Sequence, residues 1–254
     1  MSIFTHTQVP LPADAKFKIS PSSISKFFEY PSVWFRENVL GERAFNGSTA
    51  THLGTSMHYI AEQFALSHIN GTELDADTIA QTIEDDLDLV DNPDVNHSEV
   101  LSLYQDMGSA LINDYLRYNI PTEVETPLTL EIQDGIYVGG TCDNFTSGVV
   151  VDYKSSSKKP NEDKIPWNYY IQLMAYAKMY KERGEYVDRI RIVYVVRPTK
   201  TLPIRTFVVT QSITDTDWQA IDDVLSLIAE TMLLHYSKPE YTHLLFKSMS
   251  LKQT

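Results

Sequence analysis

Cysteine is nearly absent: Cys142 is the one cysteine in 254 residues. A lone thiol excludes an intramolecular disulfide framework and any zinc or iron–sulfur centre built from several cysteines. Next to Asp143 in a strand-like stretch, Cys142 reads as packing. The chain also lacks an apolar run long enough to span a bilayer, and its start (MSIFTHTQVPLPADAKFKIS) has no basic region followed by an apolar one. These two absences lead to the expectation of a cytoplasmic protein with no membrane partner. Basic residues are in deficit, with 21 Lys and Arg against 34 Asp and Glu and a net charge of −13. That balance argues against a protein that coats nucleic acid without specificity, because phosphate binding rests on lysine and arginine. There is no internal repeat, heptad pattern, low-complexity tract or G-x-x-x-x-G-K-[ST] phosphate loop.

Apolar residues make up 43% of the chain, enough for a substantial core. The charge is unevenly spread. Residues 73–106 hold eleven Asp and Glu and no Lys or Arg, whereas residues 151–205 hold twelve of the 21 basic residues against six acids. The second segment is compatible with a phosphate-binding face on an acidic body, although each of its charges could equally be a solvated surface group.

Patterning divides the chain in two. Residues 1–18 carry two prolines and little periodicity, and read as an extended arm. Ser20-Pro21-Ser22 reads as a helix start, with a serine cap and proline at the first helical position; that helix runs to about Tyr30, before Pro31. A second short helix follows over Val33–Leu40, then a longer one after Gly54 and helical spacing over 76–90 and 98–119, so that 19–120 is a helical part with an acidic insert. After Pro121 apolar and polar residues alternate through Gln133, and Asp134-Gly135 turns into a hairpin of 136–145 and 149–154 joined by Thr146-Ser147-Gly148. A helix at about 166–183, strands at 189–196 and 204–210, and an amphipathic helix over 214–236 complete the pattern. The expectation is an α/β fold, a central mixed β-sheet flanked by helices with a helical N-terminal half, forming one domain over 1–254 whose part 121–254 holds the sheet and the C-terminal helix.

Chemistry concentrates between Gly140 and Tyr176. Asp152 and Lys154 share one face of a strand and Tyr153 takes the other. Val149, Val150 and Val151 precede Asp152, and a carboxylate buried beside valines needs a cation. Two carboxylates, Asp143 and Asp152, can hold a divalent metal through oxygen, and Lys154 would face the same phosphate. That set suits phosphodiester hydrolysis, whose obstacle is the negative charge that repels attacking hydroxide. A D-x-K triplet alone also fits an exposed ion pair. His58 and Glu62, four apart, share one helical face, as do Gln172 and Tyr176. Ser22, Ser23 and Lys26 could bind a backbone phosphate or simply cap a helix. Glu131 lies on the preceding strand with its side unfixed.

Five pieces in series, Ser20-Pro21-Ser22, Gly54-Thr55-x-x-His58-x-x-x-Glu62, Gly140-x-x-Asp143, Val151-Asp152-Tyr153-Lys154 and Gln172-x-x-x-Tyr176, resemble the RecB-type branch of the PD-(D/E)xK nuclease superfamily, which includes phage exonucleases. They span residues 20–180. Members with an iron–sulfur cluster carry four cysteines; this chain resembles those without it. The resemblance implies a restriction-endonuclease-like core and a metal-dependent deoxyribonuclease that works by metal-activated water with Mg2+ or Mn2+. It implies His58, Asp143, Asp152 and the Tyr153 carbonyl as metal ligands, with Glu62 either a ligand, a support for one or a solvated residue. Lys154 steers water and stabilises transition-state charge, and Gln172 and Tyr176 contact nucleic acid and support the site, although Tyr176 equally suits packing among Trp167, Tyr169, Tyr170 and Tyr180. The expected substrate is DNA, and the expected activity that of a phage-type exonuclease in recombination, repair or degradation, with a homo-oligomer or a recombination protein as partner. A structure-specific or restriction-like endonuclease and a catalytically idle nucleic-acid-binding protein on the same fold are the alternatives.

Overall fold

The computed structural model describes Ile3 and residues 9–42 and 47–240. Part of the expected N-terminal arm, residues 1–8 apart from Ile3, lies outside the described residues. Its end is strand β1 (Phe17–Ile19). The serine–proline start is a 3-10 turn over Pro21–Ser23 that runs into α1 (Ile24–Glu29), and Pro31 opens α2 (Pro31–Asn38). Then come α3 (Thr49–Asn70), α4 (Ala76–Asp88) and α5 (His97–Asp114). The helix expected after Gly54 thus begins five residues earlier, because Ser48 caps it by accepting from the Thr51 amide. Gly54 sits inside α3.

The second half follows the alternation: β2 (Glu123–Gln133), β3 (Ile136–Thr146), β4 (Val149–Ser156), α6 (Trp167–Glu182), β5 (Arg189–Val196), β6 (Arg205–Ser212) and α7 (Asp215–Ser237). Both hairpin turns have two residues. Asp134-Gly135 and Ser147-Gly148 each adopt positive φ at both positions, the geometry that matches strand twist. Thr146, expected in the second loop, is paired with Val149. A reciprocal capping box between Thr214 and Asp217 starts α7.

The sheet is mixed. β3 pairs antiparallel with β2 and β4, β4 runs parallel to β5, β5 antiparallel to β6, and β1 parallel to β3. β2 runs along one edge of β3 from Ile136 to Phe145, so β1 and β4 share the other. β1 takes Ile136–Val138 and β4 takes Asn144–Thr146. Between them residues 139–143 of that edge pair with no described strand, which leaves a notch in the sheet.

Helices cover both faces. Val149, Val151, Tyr153, Val193 and Val195 pack against Leu53 and Met57 of α3 and Tyr104 and Leu111 of α5. Val150, Ile190 and Ile192 pack on the other side with Leu173 and Ala177 of α6, Leu225 and Ile228 of α7, and Ile24, Phe27 and Trp34 of α1 and α2. The expected mixed sheet flanked by helices is therefore present. β4 lies at its centre, and its alternation sends Val149, Val151 and Tyr153 towards α3 and α5 while Asp152 and Lys154 turn towards α6.

Candidate active site

At the notch, β3 and β4 separate just where their acids lie. The last paired residues are Asn144 and Val151; beyond them the Asp143 carboxylate accepts the Tyr153 amide at 2.9 Å. Asp143 thus occupies the gap beside the opened strand.

His58 arrives from α3. Its Nε2 lies 2.7 Å from the Tyr153 carbonyl and its Nδ1 3.3 Å from Asp143 Oδ2. Gly54, one turn earlier, permits this approach: a Cβ there would lie 3.2 Å from Ser155 Oγ on β4. Burial pulls the imidazole pKa down, but the charge and hydrogen bond of Asp143 outweigh it and hold His58 at about 9. The ring is therefore an imidazolium that donates to both oxygens. Burial raises the Asp143 pKa, and His58, Lys154 and the Tyr153 amide together overturn that and keep it below the usual aspartate value.

Asp152 is buried, with 4% of its surface exposed. Desolvation, with Asp143 nearby, lifts it to about 6 against the pull of Lys154. Its Oδ1 accepts from Lys154 Nζ at 2.8 Å and from Gln172 Nε2 at 2.9 Å; Oδ2 lies 2.6 Å from the same ammonium but outside hydrogen-bonding geometry. Burial lowers the Lys154 pKa, yet Asp152 and Asp143 raise it further, so the lysine stays charged. The Tyr169 ring lies 5.2 Å from Lys154 Nζ. Tyr169, Gln172 and Tyr176 form one stripe of α6 at helical spacing. Tyr176 is buried, and its hydroxyl would lie 2.7 Å from a Cβ at Gly140, with Pro21 at 3.0 Å on the same spot. It fills the notch from behind, so packing is the role its surroundings describe; the ring contacts of Trp167, Tyr170 and Tyr180 are with other partners.

Five of the predicted residues therefore meet: His58, Asp143, Tyr153 through its backbone, Asp152 and Lys154, with Gln172 behind Asp152. Glu62 lies close enough to influence Glu125, and burial raises its own pKa. Ser22 is exposed, Ser23 donates to the Ser20 carbonyl and accepts from the Trp34 indole, and Lys26 is paired with Glu37 at 2.5 Å. Glu131 is not at the site. Its carboxylate accepts the Gly135 amide at 2.8 Å, at the turn end of β2. The basic segment is largely committed internally: Lys178 pairs with Glu182 and Asp222, Arg183 with Glu123, Arg189 with Asp188, and Arg197 with Glu99.

Glu125 joins the cluster and was missed in the sequence. Ligand atoms of His58, Glu125 and Asp143 all lie within 4.8 Å of one another, a spacing that could hold a metal ion. Desolvation, then the charge of Asp143, pushes its carboxyl up to about 8. The donor set fits a hard divalent ion: carboxylate oxygens, one carbonyl and one imidazole converge where the imidazolium now supplies the positive charge.

A family model described as the PD-(D/E)XK nuclease superfamily matches residues 18–241. Among solved structures, the chain is similar to one described as a "putative exonuclease" from Eubacterium rectale, with TM-score 0.56 and 16% identity over 85% of this chain and 80% of that one. It also matches an alkaline exonuclease from Laribacter hongkongensis, with TM-score 0.42 and 14% identity over 89% and 94% of the two chains. Among curated proteins none matches.

Proposed function

The chain belongs to the PD-(D/E)XK nuclease superfamily, and from that premise we propose that it is a Mg2+- or Mn2+-dependent deoxyribonuclease, an exonuclease of the phage recombination or DNA-degradation kind, acting in the cytoplasm. The observation that carries this reading is the convergence of His58, Asp143, the Tyr153 carbonyl, Asp152 and Lys154 at one notch. The description of the similar Eubacterium rectale structure as an exonuclease agrees with it.

In this reading His58, Asp143, Asp152 and the Tyr153 carbonyl hold the divalent ion. When bound, the ion supplies Lewis-acid stabilisation of the phosphate and favours deprotonation of the attacking water. Lys154 is a charged donor, its pKa raised by Asp152 and Asp143 against the pull of burial; it offers that charge to the phosphate as negative charge builds up. Gln172 holds Asp152 through Oδ1, and Tyr176 backs the notch. Ser22 is the exposed member of the candidate DNA contacts, and a phosphate would have to compete with Glu37 for Lys26. The same proposal treats the acidic helices and the sheet as one nuclease domain, which their shared core supports.

The test is a time course on end-labelled linear duplex and on covalently closed circular DNA, with Mg2+, Mn2+ or chelator. Metal-dependent shortening of the linear substrate and an intact circle are expected. Cutting of the closed circle would replace the exonuclease with an endonuclease, and no metal-dependent cleavage of either would remove the enzymatic reading.

A further inference from the structure

We propose that Glu125 is an additional carboxylate ligand of the divalent ion, completing with His58 and Asp143 the side of the site formed by β2 and β3. The inference rests on the nuclease reading and adds to its ligand set. Three independent observations carry it. The first is distance, since the three residues offer ligand atoms within 4.8 Å of one another.

The second is register. Val124 pairs with Asn144 and Thr126 with Cys142 in one register, so Glu125 and Asp143 lie across from each other at the step between these two pairs. Opposed residues in an antiparallel pair present neighbouring side chains on one face. This alignment depends on an irregularity. At the turn Gln133 faces Ile136, but Glu131 faces Tyr137, so one residue is bulged out between them. Without that bulge the turn would put Thr126 opposite Asp143. Glu125 also has φ of +44°, a conformation that residues other than Gly, Asn and Asp seldom adopt.

The third is the absence of any other use for the carboxylate. β2 contains three glutamates. Glu123 pairs with Arg183, and Glu131 accepts the turn amide of Gly135. Glu125 has neither a hydrogen bond nor an ion pair among the described residues, although it is half-buried beside Asp143. A carboxylate so placed calls for a cation. His58 and Lys154 do not meet that need alone, since one is engaged by Asp143 and Tyr153 and the other by Asp152.

The test is calorimetric titration of the full chain with Mn2+, without DNA, comparing wild type with Glu125→Gln, Glu125→Asn and Asp143→Asn, each melted in chelator first. Asparagine tolerates the positive φ, so it separates the ligand role from the backbone role. Both Glu125 variants should bind Mn2+ about ten-fold or more weakly, at least the loss seen when a supporting group of a metal site is removed, while melting no lower than wild type. Wild-type Mn2+ affinity in either folded variant overturns the proposal. If Asp143→Asn is weakened in that case, the metal site of the nuclease reading stands without Glu125; if it too binds as wild type does, both fall.

Discussion

His58 is both the positive partner of Asp143 and a proposed ligand for a divalent ion, and it cannot be both at once. As an imidazolium at about 9 it donates to Asp143 and to the Tyr153 carbonyl. A ligand must be a neutral imidazole with a free lone pair. Metal binding near neutral pH should therefore expel the His58 proton, and affinity should rise with pH up to about 9. Titrating Mn2+ into Glu125→Gln, which has no carboxyl proton of its own to release at that position, in two buffers of different ionisation enthalpy measures this; equal heats would mean that no proton leaves and that His58 is not a ligand. Lys154 plays a different part, because its charge is retained throughout. Lys154→Ala should lower kcat by about 10²–10³-fold, the range for loss of a donor aimed at developing charge, and leave Mn2+ affinity near wild type. A wild-type cleavage rate in that variant would rule out the role assigned to it.

Among the elements, α3 and the β2–β3 hairpin position the site by close approach and register. A glycine inside a helix costs about 1 kcal/mol relative to alanine, so Gly54 needs a packing reason, and its 3.2 Å spacing from Ser155 Oγ supplies one. Gly54→Val should push α3 away from β4, costing about 1–3 kcal/mol as overpacking does, and should weaken Mn2+ binding by withdrawing His58. Thermal melts and titration read the two effects; unchanged Mn2+ affinity would show that α3 is not held at this distance for the site. Strand and helix existence was legible because periods of two and near four are written in the side chains, and His58, Asp143, Asp152, Lys154 and Gln172 could be named because each belongs to a short local pattern. Glu125 belongs to none. It enters the cluster through a one-residue bulge several positions away, near Glu131, and no composition signal announces a bulge. Glu131 sat on the expected strand, but it is six residues from Glu125, about 20 Å along an extended chain. The start of α3 was misplaced for a related reason: Gly54 looks like a boundary in isolation, and its true function depends on a strand a hundred residues away.

For the whole molecule, a buried group of acids with two cations makes stability depend on pH in a direction opposite to that of ordinary salt-bridged carboxylates. His58 rises from 6.5 to about 9 and Glu125 from 4.5 to about 8 on folding, so the folded chain holds these protons more tightly than the unfolded chain does. Their contribution to stability is complete below the unfolded values and is lost as pH climbs through the folded ones. Asp152, raised from 3.8 to about 6, acts in the same sense at lower pH. Asp143 is depressed and opposes them only in acid. His52 and His235 are lowered by burial and favour folding as pH rises through the region of 6.5, so the fall due to the site should be clearest between about pH 7 and 9. Each of the two groups can contribute at most about 1.4 kcal/mol per pH unit. In chelator the melting temperature should therefore drop over this range, and the slope should be shallower in Glu125→Gln. A divalent ion binds the deprotonated groups, so the stabilisation it adds should grow over the same range. Melts at about pH 7, 8 and 9 in chelator and in Mg2+ give both curves. A chelated protein whose melting temperature is flat or rising across that range would contradict the charge arrangement described at the notch.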